Sequence, residues 1–291
     1  MIVDTHHHLW DPGTRRHEWL AGTPALHRRF GKKDFEDASA GHGVTASVLV
    51  QVLASSGETE EFLARADAGG VVAGVIGWAD LTAPRVGDEL ARLRGGPGGG
   101  RLVGIRHLVQ DEPDPGWLGR PDVRRGLAAV AAAGLVYDLL VRPAQLPAAV
   151  RAAAELPDVR FVLDHGAKPD IAARRWEPWS TLLGELASRP NVSCKLSGLV
   201  TEAGPAWDRA TIAPYAARLL DCFGPERLMF GSDWPVCTLA ADYGAVLALA
   251  REVVSPQLSP AELGTVFAGT ALRTYGLDVH IPGDHRPGPN I

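Results

Sequence analysis

Eight short runs of apolar, largely β-branched residues recur along the chain, at residues 2–5, 45–52, 71–78, 102–108, 135–141, 160–164, 192–196 and 227–230. Each is nearly continuous in its hydrophobicity rather than alternating, the pattern of a strand covered on both faces. Between them lie Ala-, Leu-, Glu- and Arg-rich stretches at helical spacing, among them 58–68, 85–94, 123–133, 148–156 and 212–222. Strand and helix in regular alternation predict a parallel sheet wrapped by helices. Eight units with no ninth predict a closed (β/α)8 barrel, an α/β fold, over an open doubly wound sheet. The usual nucleotide-binding alternatives lack their signature, since neither a G-x-G-x-x-G nor a P-loop follows the first strand.

Several connections exceed the minimal barrel. Residues 11–33 carry Trp19, Leu20, Leu26 and Phe30 away from the C-terminal end of strand one. That placement fits a lid or substrate wall as well as it fits a packed surface loop. The glycine run at 95–100 precedes strand four, on the opposite face of a barrel, and reads as a flexible connector. Helices are expected at about 242–253 and 260–275. The tail from about 281, with three prolines, reads as irregular, and His280 and His285 there as surface residues. The whole chain, 1–291, is thus expected to form one barrel domain.

Composition narrows the partners more than the fold. With 46% hydrophobic and 22% charged residues in 291, there is ample core. A net charge of −5 gives no electrostatic reason to expect nucleic acid or an anionic membrane. Cys194, Cys222 and Cys237 have no metal-type spacing and read as buried, reduced thiols of a cytoplasmic protein. No signal-peptide pattern opens the chain, and no apolar run is long enough to cross a bilayer.

The candidate chemistry sits where the strands end. In Asp4-Thr-His-His-His-Leu-Trp10, side chains two apart share a face, so His6 and His8 point one way and His7 the other. The later strand ends add Gln51, Trp78, Asp80, Arg106, His107, Asp138, Arg142, Asp164, His165, Lys168, Lys195, Ser197, Asp233 and Trp234. In a barrel these converge on one pocket. Asp138 and Asp164 read as supporting carboxylates or caps. Of the adjacent pair Arg106 and His107 only one faces inward, and Arg106 is preferred because a buried arginine on the helix side would be costly.

The motifs D-T-H-H-H-L-W at 4–10 and G-S-D-W-P-V at 231–236 resemble the first and last strand motifs of the amidohydrolase superfamily. The stretches at 104–113, 137–140, 163–169 and 194–202 narrow the likeness to the sugar-lactonase branch of its "amidohydrolase 2" group. The resemblance covers essentially the whole chain, with six motifs in order. It implies hydrolysis of a sugar-acid lactone, with Asp233 as general base for the attacking water and His165 beside it. It also implies at most one divalent metal, zinc foremost, at His6, His8, His165 and Asp233. Strand four offers Arg106-His107 instead of a bridging lysine and strand five no histidine, and related lactonases include members that need no metal. Trp10, Arg106, Gln110, Lys195 and Trp234 are expected to contact the sugar. The alternatives within the group are hydrolysis of a pyrone or muconolactone and metal-dependent decarboxylation. A nuclease on the same barrel is disfavoured by the acidic balance. The expected partner is a small molecule, with self-association the one protein partnership left open.

Overall fold

The computed structural model describes residues 1–279, so the tail from 281, with His280 and His285, lies outside the described residues. Eight parallel strands run in sequential order: β1 (Ile2–His7), β2 (Val44–Val50), β3 (Val72–Gly77), β4 (Leu102–His107), β5 (Val136–Leu139), β6 (Arg160–Leu163), β7 (Val192–Leu196) and β8 (Leu228–Phe230). The ring closes just past the end of β8. His8 N–H donates to the Trp234 carbonyl at 2.7 Å, Asp233 N–H to the His6 carbonyl at 2.8 Å, and Thr5 Oγ1 to the Phe230 carbonyl at 2.6 Å. The (β/α)8 barrel predicted from the hydrophobic pattern is therefore the observed fold.

Helices between the strands cover the outside. Ser55, Asp208 and Asp242 cap the helices Ser56–Asp67, Arg209–Arg227 and Tyr243–Val254, accepting N–H bonds from Glu58, Thr211 and Ala245. Each cap contributes about 1 kcal/mol. Inside, Ala46, Val48, Val50, Ile76, Val136, Val162 and Met229 form an apolar layer, closed from below by Ala268, Ala271, Tyr275 and Leu277. Above it the inward positions turn polar: Arg106 pairs in register with Asp138, and the Lys195 ammonium meets Asp138 and Asp164. The C-terminal segment thus plugs the bottom of the barrel and leaves the top open for a site.

Three local expectations change. Lys32–Ser39 forms a helix that the pattern did not show, because Phe35 is its one large buried apolar residue and gives no period to detect. The closing helix at 260–275 opens into a π-turn at Thr265–Gly269. The glycine run at 95–100 is a tight packed turn, not a loose connector. Gly98 has φ +70°, and a Cβ there would lie 2.3 Å from the Leu63 carbonyl oxygen, so only glycine fits.

Candidate active site

Asp4 joins the first and last strands before any chemistry begins. Its buried carboxylate accepts from Ser232 N–H at 2.8 Å, His6 N–H at 3.1 Å and the Tyr243 hydroxyl at 3.0 Å. Burial pushes this carboxyl up to about 6 against the pull of those bonds. The two terminal motifs are therefore locked in register, and the side chains that follow Asp4 and Ser232 meet.

They meet around Asp233. Its Oδ1 lies 3.8 Å from His6 Nε2, 3.7 Å from His8 Nε2 and 3.8 Å from His165 Nε2. Burial raises the Asp233 carboxyl, but His165, His8 and Lys168 outweigh it and hold the group below the usual carboxylate value. Burial in turn lowers all three imidazoles, His165 to about 4, so they are neutral at pH 7. His8 Nδ1 lies 2.8 Å from the Val50 carbonyl, which can only accept, so its Nε2 turns a lone pair inward. The Arg106 guanidinium, which can only donate, lies 3.2 Å from His6 Nε2. Two imidazole lone pairs then face each other at 3.1 Å, beside a carboxylate. That arrangement is repulsive until a cation or a proton sits near it.

The donor set fits a single divalent ion. His6, His165 and Asp233 bring ligand atoms within 4.8 Å of one another, all buried, and His8 stands alongside. A tetrahedral ion with bonds of about 2.0–2.1 Å separates its ligands by roughly 3.4 Å, so small rotations would complete the shell. Among the described residues this is the one such group.

Directly below lies a buried charged layer of which only Arg106 touches the cavity. Lys195 Nζ is 2.5 Å from Asp138, 2.9 Å from Asp164 and 3.1 Å from His6 Nδ1. Arg106 donates to Asp164 at 2.9 Å and to Gln51 through Nε and Nη2, and the Tyr275 hydroxyl reaches up to Asp138 at 3.1 Å. Two cations face two carboxylates. Burial raises Asp138, opposed by Lys195 and reinforced by Asp164. For Asp164 the same burial is overcome by Lys195, His6 and Arg106, which hold it well below the ordinary value. Asp138 and Asp164 thus orient the cations and His6, a supporting role.

Backbone strain shapes the β6 end. His165, Gly166, Ala167 and Lys168 all have positive φ, from 50° to 64°, and Lys168 N–H closes the turn on the His165 carbonyl at 2.9 Å. Left-handed backbone costs about 1–2 kcal/mol for each non-glycine residue. The turn is held by Trp179 Nε1 donating to the Gly166 carbonyl at 2.7 Å and by the burial of Ala167. His165 Nδ1 bonds Ser197 Oγ at 2.8 Å. Gly198, at φ +69°, lets that ring approach: a Cβ would lie 2.7 Å from His165 Nδ1.

A cavity of about 250 Å³ opens over these groups, lined by His8, Arg106, His165 and Asp233 below and by Trp10, Trp19, Gln110 and Lys168 on its walls. A shallower hollow of about 560 Å³, between Pro12 and His27, contains none of the strand-end groups. Gln110 Oε1 is buried without a hydrogen-bond partner. Arg106 faces inward, whereas His107 stacks on Trp117 and pairs with Glu112 on the helix side. Trp78 bonds His107 there, while Asp80 and Arg142 are exposed, so none of these strand-end groups joins the cavity. Trp19, on the 11–33 connection, is 39% exposed and stands edge-on to the buried Trp10, so this connection forms a wall.

Two expected sugar contacts require correction. Lys195 is fully buried beneath His6, its ammonium consumed by Asp138 and Asp164, and does not reach the cavity. Trp234 packs its ring against Phe30 and Phe35 instead of lining the cavity. Both sit at strand ends as the sequence predicts, but Lys195 points inward one layer too deep and the Trp234 ring turns away towards Phe30 and Phe35. Lys168 and Trp19 line the cavity although the sequence pattern assigns neither a contact. A left-handed turn aims the first and loop packing aims the second, and periodicity shows neither.

Comparisons with known proteins agree with this geometry. A family profile described as Amidohydrolase matches residues 3–277. An L-fucono-1,5-lactonase of Burkholderia ambifaria is 40% identical over 280 residues, covering 95% of this chain and 96% of the relative. A second protein of that name, from Burkholderia multivorans, is 38% identical, covering 94% and 96%. The crystal structure of an amidohydrolase from Burkholderia multivorans with bound zinc superposes with a TM-score of 0.89 at 38% identity, over 96% of this chain and 100% of that one.

Proposed function

The chain belongs to the amidohydrolase family, and we propose from that premise that it hydrolyses the ring ester of a sugar-acid lactone. The observation that carries this reading is the Asp233 carboxylate, held low in pKa and facing three neutral imidazoles at the floor of a sugar-sized cavity. Ring opening needs an activated water, stabilisation of charge on the carbonyl oxygen and a proton for the departing ring oxygen. Asp233 takes the proton of the attacking water. Arg106, pinned by Gln51 and Asp164, presents a fixed positive charge to the developing oxyanion without having to reorganise. A divalent ion held by His6, His165 and Asp233, with His8 alongside, would polarise the carbonyl and acidify a water when bound.

The walls suit a polyhydroxylated ring. Trp10 and Trp19 offer apolar faces to its C–H surface, and the unpartnered Gln110 Oε1 accepts from a sugar hydroxyl. A 1,5-lactone of a six-carbon acid such as L-fuconic acid is the favoured substrate. A pyrone or muconolactone dicarboxylate would call for more cations than Arg106 and Lys168, with Arg142 exposed and outside the cavity. Three free thiols, Cys194, Cys222 and Cys237, support a reducing, cytoplasmic setting, and among the described residues no helix is long and apolar enough to cross a membrane.

A pH-indicator assay over a panel of 1,4- and 1,5-aldonolactones, with and without chelator and beside metal analysis of the protein, tests the proposal. Acid release from at least one 6-deoxyhexonolactone is expected. A folded protein that opens none of the panel would overturn the reading.

A further inference from the structure

The cavity wall above the ends of β4, β5 and β6 leaves particular hydrogen bonds unmade. Gln110, past the end of β4, has its amide oxygen Oε1 buried without a partner, so it calls for a donor. Leu140, past β5, offers only C–H surface. Gln110 N–H donates to the Leu140 carbonyl at 3.0 Å, which fixes the spacing of the two. Lys168, past β6, ends the row with an ammonium. Three adjacent strands thus present an acceptor, an aliphatic group and a donor in sequence.

The donor is held in place but left unused. Lys168 N–H closes the left-handed turn on the His165 carbonyl at 2.9 Å, and Trp179 pins the Gly166 carbonyl within that turn. The ammonium carries three N–H groups and no lone pair. Among the described residues none of the three finds an acceptor. The nearest carboxylate, Glu202 Oε1, stands 3.9 Å away, too far for a hydrogen bond, and does not line the cavity. With the side chain only 20% exposed, solvent reaches it only in part.

We propose that Lys168 is a specificity-determining residue that selects a hydroxylated lactone over a bare one, an inference that rests on the lactonase reading above. It donates to the lone pair of one ring hydroxyl, while Gln110 Oε1 accepts from another across the Leu140 side chain. A lactone without the first hydroxyl leaves a half-buried ammonium unpaired, and that penalty discriminates more strongly than any apolar contact. Glu202 balances the charge from outside the cavity and leaves the N–H groups to the substrate. Asp111, exposed at the mouth beside Gln110, disfavours an anionic substituent at that end of the wall.

The test compares Lys168→Met with the wild type on its best aldonolactone and on the monodeoxy forms of that lactone, each lacking one hydroxyl. A contact made alike in the ground and transition states shows in KM. Lys168→Met is therefore expected to raise KM about 10- to 100-fold, with kcat within about threefold. Lys168→Ala, a second way of removing the ammonium, should behave alike. One monodeoxy lactone should cost the wild type about the same factor and Lys168→Met nothing further, because the two changes remove one contact. An unchanged KM, a loss confined to kcat, or losses that multiply for every monodeoxy lactone would each overturn the proposal while leaving the lactonase standing. A wild-type protein that opens no lactone would overturn both.

Discussion

Replacing Lys195 with methionine tests the charged layer beneath the site. In the native barrel Lys195 and Arg106 face Asp138 and Asp164, with only Arg106 touching the cavity, so two cations balance two buried carboxylates. Methionine matches the volume of the stem but leaves one carboxylate uncompensated at contact distances of 2.5 and 2.9 Å. Breaking a buried pair from one side costs about 3–5 kcal/mol. At about 2–4 °C per kcal/mol for a domain of this size, the melting temperature should fall by roughly 10 °C. Adding Asp138→Asn removes much of the stranded charge and should recover part of the loss, because the two changes share one interaction. The assay is a thermal melt by circular dichroism at pH 7.5 and fixed scan rate for wild type, single and double variants. A Lys195→Met protein melting within about 2 °C of the wild type, with only KM raised, would refute the structural role and return Lys195 to the substrate.

Other outcomes follow from the same geometry. Glu58 is buried under the end of β2, where it accepts from Val52 and Leu53 N–H, and burial pushes its carboxyl up to about 7. A raised carboxyl stabilises below its unfolded value, near 4.5, and that stability is lost as pH rises towards 7. Glu58→Gln should therefore gain about 2–3 kcal/mol relative to wild type between pH 5 and pH 8, measured by urea titration at both. Gly198→Ala should displace His165 and lower kcat/KM at least tenfold, since the added Cβ falls 2.7 Å from the ring. Trp19→Ala should raise KM without changing the melting temperature, whereas Trp234→Ala, 4% exposed, should cost about 3–5 kcal/mol of stability in the same melts.

The fold was legible because each strand declares itself twice, by β-branched composition and by the helix that follows. The site was legible as a set of strand ends, and period two correctly separated His6 and His8 from His7, whose ring stacks on Phe35 outside the barrel. Direction at the very ends was harder. Arg106 could be placed by the cost of burying its charge elsewhere, but Lys195 points into the same interior one layer lower, where depth along the barrel decides between substrate and core. That depth is a matter of stagger between strands, which a single sequence does not carry. The left-handed turn at residues 165–168 was equally silent: only Gly166 in it is a residue that favours positive φ, and packing against Trp179 imposes the rest.

The central claim is that Asp233 activates the water that opens a lactone ring. The direct test is kcat of Asp233→Asn on the best aldonolactone, measured beside wild type with the fold checked by near-ultraviolet circular dichroism. Loss of about 1,000-fold or more in a folded protein is the predicted result, since the isosteric amide cannot take the proton. Undiminished turnover by the folded variant would contradict it.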